Sequence, residues 1–187
     1  MVKRAVNQID KNMKTINFKD KQYPALQAEG FASQYAFLFA NTLLTGFGVD
    51  IGYGKPEWKL PKAVGIEFGK WMPDDRHEWI ESDVSATNFN CDPLDYLFSS
   101  HCLEHLADWV GVLDYWGEKL KSGGVMFLYL PNADYQEYWR PMYNRKHVNW
   151  LTPHMLEAYF KGRSYTNIFV TQGYDLNGSF YAVAERV

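Results

Sequence analysis

The chain predicts an open, mostly parallel α/β sheet closed by an antiparallel strand, and three observations predict it. Apolar periodicity alternates between strand and helix along most of the chain. One run, VMFLYL over residues 125–130, is almost wholly apolar, the pattern of a strand covered on both faces. Asn177-Gly178 stands as a turn just ahead of a last strand pattern. A length of 187 residues suits one domain with a sizeable core.

Each element has its own reason. Residues 1–22 read as a basic tail, partly disordered: Lys3, Arg4, Lys11, Lys14, Lys19 and Lys21 face only Asp10 and Asp20. A single domain then fills residues 23–187. Phe31, Tyr35, Leu38, Phe39, Thr42 and Leu43 share one helical face, and Gly46 stops that helix. Residues 47–51, 63–67, 78–82 and 94–99 read as four strands. Asp108 caps a helix with Trp109, Val112, Leu113, Trp116 and Leu120 inward, ended by Gly123-Gly124. After the fifth strand, Thr152-Pro153 opens another helix with Leu156, Tyr159 and Phe160 inward and Gly162 closing it. Residues 167–171 and 179–185 form a final antiparallel pair.

Composition excludes several classes. No apolar run approaches the length of a membrane span, and the first residues lack the apolar stretch of a secretory signal. Cys91 and Cys102 make no disulfide framework, which points to a reducing cytoplasm. A net charge of −3 argues against a nucleic-acid partner.

In an open α/β sheet the ligand sits beyond the carboxyl ends of the strands, where strand order reverses. The residues there are Asp50, Gly52, Tyr53 and Gly54 after the first strand, and Glu67 at the end of the second. Asp83 and Val84 follow the third, and Ser99, Ser100 and His101 the fourth. In GVDIGYG, Gly52 and Gly54 let the backbone turn and approach a ligand. Asp50 would repel a pyrophosphate but attract the ammonium and sulfonium of S-adenosylmethionine. Three acids at successive strand ends suit an ammonium, a ribose diol and an adenine amino group in turn.

DIGYG, VGIE, ESDV, DYLFSSHCLEHLAD, KLKSGGVMFLYLPN and HVNWLTPHML resemble successive motifs of class I S-adenosylmethionine-dependent methyltransferases, most closely the type-11 group. The resemblance covers about residues 45–187. It implies a doubly wound, Rossmann-like sheet of seven strands with the last antiparallel. It also implies that Asp50, Gly52, Tyr53 and Gly54 hold the methionine end, Glu67 the ribose, and Asp83 and Val84 the adenine, while residues 99–101 border the reactive methyl. Two departures stand out. Pro56 replaces the usual third glycine, and the connections over 52–62 and 69–77 are too short for full helices. Trp58, Trp71 and Trp79 are then expected to cover that flank, within a monomer or across a homodimer.

For chemistry, His101 and then His147 are the candidate general bases, and Glu104 and His105 are expected to orient the loop. HCLEH also reads as H-x-x-E-H, the zinc-protease pattern in which His101 and His105 would share a metal. Its place after a buried strand makes a metal-free loop the expectation. A non-catalytic binding module with the same fold is the other alternative, kept open by Pro56. The acceptor is expected to be a small molecule or glycan, methylated on oxygen or nitrogen, beneath a lid over 132–150 that carries Arg140, Arg145 and Lys146.

Overall fold

The computed structural model describes residues 15–18, 21–24, 32–54, 58–68, 79–82, 85–91 and 93–187. Strands β1 (Thr15–Phe18) and β2 (Lys21–Pro24) pair antiparallel, Thr15 opposite Pro24. Residues 15–18 and 21–22 of the expected tail are thus in regular structure, and residues 1–14 lie outside the described ones.

The body is one sheet. Its strands are β3 (Gly48–Ile51), β4 (Ala63–Phe68), β5 (Trp79–Ser82), β6 (Leu94–Ser100), β7 (Leu120–Pro131), β8 (Tyr165–Val170) and β9 (Ser179–Arg186). They lie in the order β5-β4-β3-β6-β7-β9-β8. β3 pairs parallel with both β4 and β6, and β9 runs antiparallel to both β7 and β8. The seven-stranded sheet with its last strand reversed is the predicted architecture. Strand order turns back between β3 and β6, which puts the ligand crevice beyond their carboxyl ends.

Side-chain alternation divides the core into two layers. On one face Tyr96 and Phe98 of β6 and Phe127 and Tyr129 of β7 meet helix α1 (Ser33–Leu43). On the other, Leu97, Met126, Leu128 and Leu130 meet helices α2 (Trp109–Lys119) and α3 (Pro153–Lys161). Asp108 caps α2 by accepting from Gly111 N at 3.0 Å, and Thr152 caps α3 through Met155 N. Both caps and both inward faces follow the sequence reading.

The inward face of α1 does not. Ala36 and Ala40 are fully buried, whereas Leu38 is 67% exposed and Leu43 43%. The sheet supplies five aromatic rings on this side, Tyr181 of β9 being the fifth, so only small helix residues let the helix axis approach. Phe39 reaches the sheet edge-on, against Phe127 and Tyr181. Gly123-Gly124 also plays a different part from the helix stop expected of it. α2 ends at Lys119, and the chain enters β7 at once, with Leu120 opposite Leu94; pairing resumes with Val125 opposite Tyr96. The residues between bulge out. Gly123 has φ +78°, and a Cβ on Gly124 would lie 3.0 Å from the Leu94 carbonyl oxygen.

An open cleft of about 400 Å³ beside this bulge is lined by Gly46, Asp95, Tyr96 and Lys121. It lies at the amino ends of the strands, away from the crevice. Among the described residues between Gly52 and Lys62 no α-helix forms, and Trp58 packs edge-on against Phe37 of α1. Pro56 and Trp71 lie outside the described residues. No helix among the described residues is long and apolar enough to cross a membrane.

Candidate functional site

The crevice begins at the glycine loop after β3. Gly52 has φ +69° and Gly54 φ +60°, a left-handed backbone that glycine adopts without strain. Gly52 N donates to the Ile66 carbonyl oxygen at 2.8 Å, and Gly54 N donates to Glu67 Oε2 at 3.0 Å. Glu67 Oε1 accepts from Phe68 N, so the carboxylate clasps the loop to the end of β4. Burial raises its pKa. Each oxygen retains a lone pair for a hydroxyl donor. Gly52 is also crowded from the β6 side, where a Cβ would lie 2.7 Å from Cys102 Sγ.

Tyr53, expected among the cofactor contacts, turns into the core. It is 1% exposed and its ring lies over Gly65, where a Cβ would stand 2.3 Å from the ring. The glycine of VGIE thus makes room for a tyrosine beneath the loop, and Tyr53 supports the loop from below.

Asp50 is 1% exposed. Its Oδ2 accepts from Leu60 N at 3.0 Å, and its Oδ1 has no hydrogen-bond partner among the described residues. Burial pushes its pKa up to about 7, offset only in part by the Leu60 N–H and the charge of Lys59. Lys59 is itself buried and donates to the carbonyl oxygens of Leu60 and Ala63. Nothing in the sequence marked this lysine beyond its charge. A bare, buried acceptor oxygen is the partner that an ammonium would complete, and a clasping carboxylate with spare lone pairs suits a diol. The residues present therefore fit the methionine and ribose ends of S-adenosylmethionine.

Across the crevice, Ser99 Oγ donates to the Ile51 carbonyl oxygen at 3.0 Å, tying β6 to β3. Ser100 is buried with its hydroxyl unpartnered among the described residues. Asp83 and Val84 lie outside those residues.

The two candidate bases converge on a third group. His101 has φ +49° and a side chain only 4% exposed. Its Nε2 meets Ser179 Oγ at 2.8 Å and its Nδ1 faces Glu104 Oε1 at 3.5 Å. Burial holds its pKa well below the usual histidine range. His147 is buried, with Nδ1 at 2.7 Å from the Trp139 carbonyl oxygen, and burial lowers its pKa to about 4. Both imidazoles are neutral at pH 7.

Glu104 sits between them on the 3-10 turn Leu103–His105. It is 1% exposed, neither carboxylate oxygen has a hydrogen-bond partner among the described residues, and burial raises its pKa. His105 places Nε2 3.7 Å from Glu104 Oε1 and Nδ1 2.7 Å from the Lys146 carbonyl oxygen. The expected lid is stapled to this turn: Val148 N and Asn149 N both donate to the Glu104 carbonyl oxygen, and Asn149 Nδ2 donates to those of Leu103 and Leu106. HCLEH flagged Glu104 and His105, but no local pattern could join His147 to them. Asn149 gave no signal at all.

Comparison with known proteins accords with this geometry. A family profile for a methyltransferase domain matches residues 26–170. No curated protein matches the sequence. Among solved structures, an S-adenosylmethionine-dependent methyltransferase from Archaeoglobus fulgidus superposes with a TM-score of 0.66 at 12% identity, over 86% of this chain and 97% of that one. A possible histamine N-methyltransferase from Thermotoga maritima gives 0.63 at 14% identity, over 98% and 97%. Human N-acetylserotonin methyltransferase, in complex with S-adenosylmethionine, gives 0.60 at 14% identity, over 86% of this chain and 54% of the human one. With the profile covering well over half of its length, the chain belongs to the methyltransferase-domain family.

Proposed function

We propose that this protein transfers a methyl group from S-adenosylmethionine to an oxygen or nitrogen of a small molecule or glycan. One observation carries the reading: Asp50 presents a buried oxygen unpartnered among the described residues and Glu67 clasps the glycine loop, at neighbouring strand ends beside the reversal of strand order. In this reading Asp50, Gly52 and Gly54 hold the methionine end and Glu67 the ribose. Several of the similar structures, the human enzyme among them, hold this cofactor or its demethylated product.

When bound, S-adenosylmethionine would supply a methyl carbon made electrophilic by its sulfonium, with the sulfur as leaving group. The protein's part is alignment and exclusion of water. Ser100 and the Glu104 turn form the floor on the acceptor side. An acceptor that carries its proton at neutral pH hands it to the group formed by Glu104, His105 and His147, while His101 positions Glu104 from beneath.

The segment over 132–150 supports a small acceptor. Trp139 is fully buried beneath it, and Arg140 donates to the Ala133 carbonyl oxygen while stacking 4.2 Å from the Trp150 ring centre. Tyr135, Met142 and Trp150 are left exposed as apolar surface beside the crevice. Trp58 packing on Phe37 favours a monomer, and two cysteines that make no disulfide framework favour the cytoplasm.

Calorimetry with S-adenosylmethionine and its demethylated product tests the reading. Glu67→Ala should weaken binding by about 1–2 kcal/mol, the scale of hydrogen bonds to a charged group. No heat at millimolar ligand with a folded protein would return the chain to the non-catalytic alternative.

A further inference from the structure

Glu104, His105 and His147, which take the acceptor's proton in the metal-free reading above, are also arranged as a metal site would be. We propose that they bind one divalent first-row transition ion. One ligand atom from each residue lies within 4.8 Å of the others. A small side-chain adjustment brings such atoms to the bond lengths of about 2.0–2.2 Å that zinc makes to imidazole and carboxylate.

The hydrogen bonds prepare the imidazoles for this. A carbonyl oxygen can only accept, so the contacts to Lys146 and Trp139 fix the proton of each ring on Nδ1. Nε2 is left as the free lone pair on both. An imidazole that donates its other N–H to a backbone carbonyl is the usual support of a metal ligand. Glu104 is the complementary observation. A carboxylate that is 1% exposed, with no hydrogen bond among the described residues and the ring nitrogens of His101 and His105 at 3.5 and 3.7 Å, is costly to ionise, and a cation would stabilise its ionised form. Two imidazoles with one carboxylate favour zinc, cobalt, manganese or iron over magnesium or calcium.

The chain also holds the three residues together. Glu104 and His105 are adjacent on their turn, and the backbone bonds from Val148 and Asn149 to Glu104 anchor His147 beside them. His105 is 39% exposed, so positions on the outer side of the ion stay open. The H-x-x-E-H pattern pairs His101 with His105. The structure turns His101 to Ser179 instead and supplies His147 from the far segment. With the ion bound these imidazoles no longer accept a proton; the ion would instead acidify a coordinated acceptor hydroxyl, whose proton leaves to solvent, and that role rests on the methyltransferase reading. Binding of the ion does not.

The test titrates chelator-treated protein with cobalt(II), followed by visible absorption, with elemental analysis of the metal after desalting and no cofactor present. One cobalt per chain is expected, displaced by zinc. His105→Ala and His147→Ala should each weaken it by at least about a hundredfold, more than the loss of an outer-shell partner. His154→Ala, on α3, should leave it unchanged. Circular dichroism checks the fold of each variant. If His147→Ala unfolds, His105→Ala decides, because an exposed ring can be truncated without opening the core. A folded wild type that takes up no cobalt at millimolar concentration, or equal uptake after His105→Ala, overturns the site. Both outcomes are independent of the calorimetry on the cofactor.

Discussion

Replacing Asp50 with asparagine should change how stability depends on pH. Burial raises the carboxyl from 3.8 to about 7, so the folded state holds this proton more tightly than the unfolded chain does. A raised carboxyl contributes stability that is fully present below pH 3.8 and is lost as pH rises through about 7. Linkage over that window gives a loss of about 3 kcal/mol between about pH 4.5 and 8 from this one group, as an order of magnitude. The asparagine variant has no such proton to lose. It keeps an oxygen for the Leu60 N–H but buries an amide at the unpartnered position, a pH-independent cost of about 1–3 kcal/mol. Urea unfolding at half-unit pH steps should therefore show the variant gaining on the wild type as pH rises. Parallel curves for the two proteins would refute the assignment of a buried, neutral-range carboxyl. The cofactor should oppose the same trend, because an ammonium beside Oδ1 favours the ionised form. Wild-type affinity should then rise through pH 7 more steeply than that of Asp50→Asn.

Two further outcomes are expected. Gly52→Ala combines a positive φ with a Cβ 2.7 Å from Cys102 Sγ, and should cost about 1–3 kcal/mol in thermal or urea unfolding. Cys102→Ala should recover only the part due to Sγ, because the Cys102 Cβ, 2.8 Å from the same position, remains; a double-mutant cycle reads it. Asn149→Ala removes the side-chain bonds to Leu103 and Leu106, and should cost about 1–2 kcal/mol and speed hydrogen exchange at the amides of residues 147–149. Unchanged exchange would mean that the Glu104 carbonyl alone anchors the segment.

The sheet was legible because periodicity reports burial directly: an apolar run such as VMFLYL needs cover on both faces wherever it is placed. Caps were legible for the same local reason, since Asp108 and Thr152 act within three residues of themselves. The face of α1 was not, because the bulk that decides it sits on β6 and β7. A pattern rule that turns the largest apolar residues inward fails where the sheet brings the rings and the helix brings alanine. The strand-end positions of Asp50 and Glu67 were legible, whereas the burial of the Tyr53 ring was not, because it depends on Gly65 in the neighbouring strand. The meeting of His147 with Glu104 and His105 is set by hydrogen bonds between segments far apart in sequence, and no spacing rule reaches it.

These contacts divide the crevice into two halves. Asp50, the glycine loop and Glu67 belong to β3 and β4; Ser100, Glu104, His105 and His147 belong to β6 and the segments after β6 and β7. Cys102 lies between them, its Sγ against Gly52 and its backbone leading directly into the turn that carries Glu104 and His105. A shift of the glycine loop must therefore press on that turn, since packed side chains transmit displacement where no void absorbs it. Cofactor held on one side and acceptor chemistry on the other would be brought into register through this contact, which explains why position 52 can spare no side chain even where the backbone conformation alone would admit asparagine.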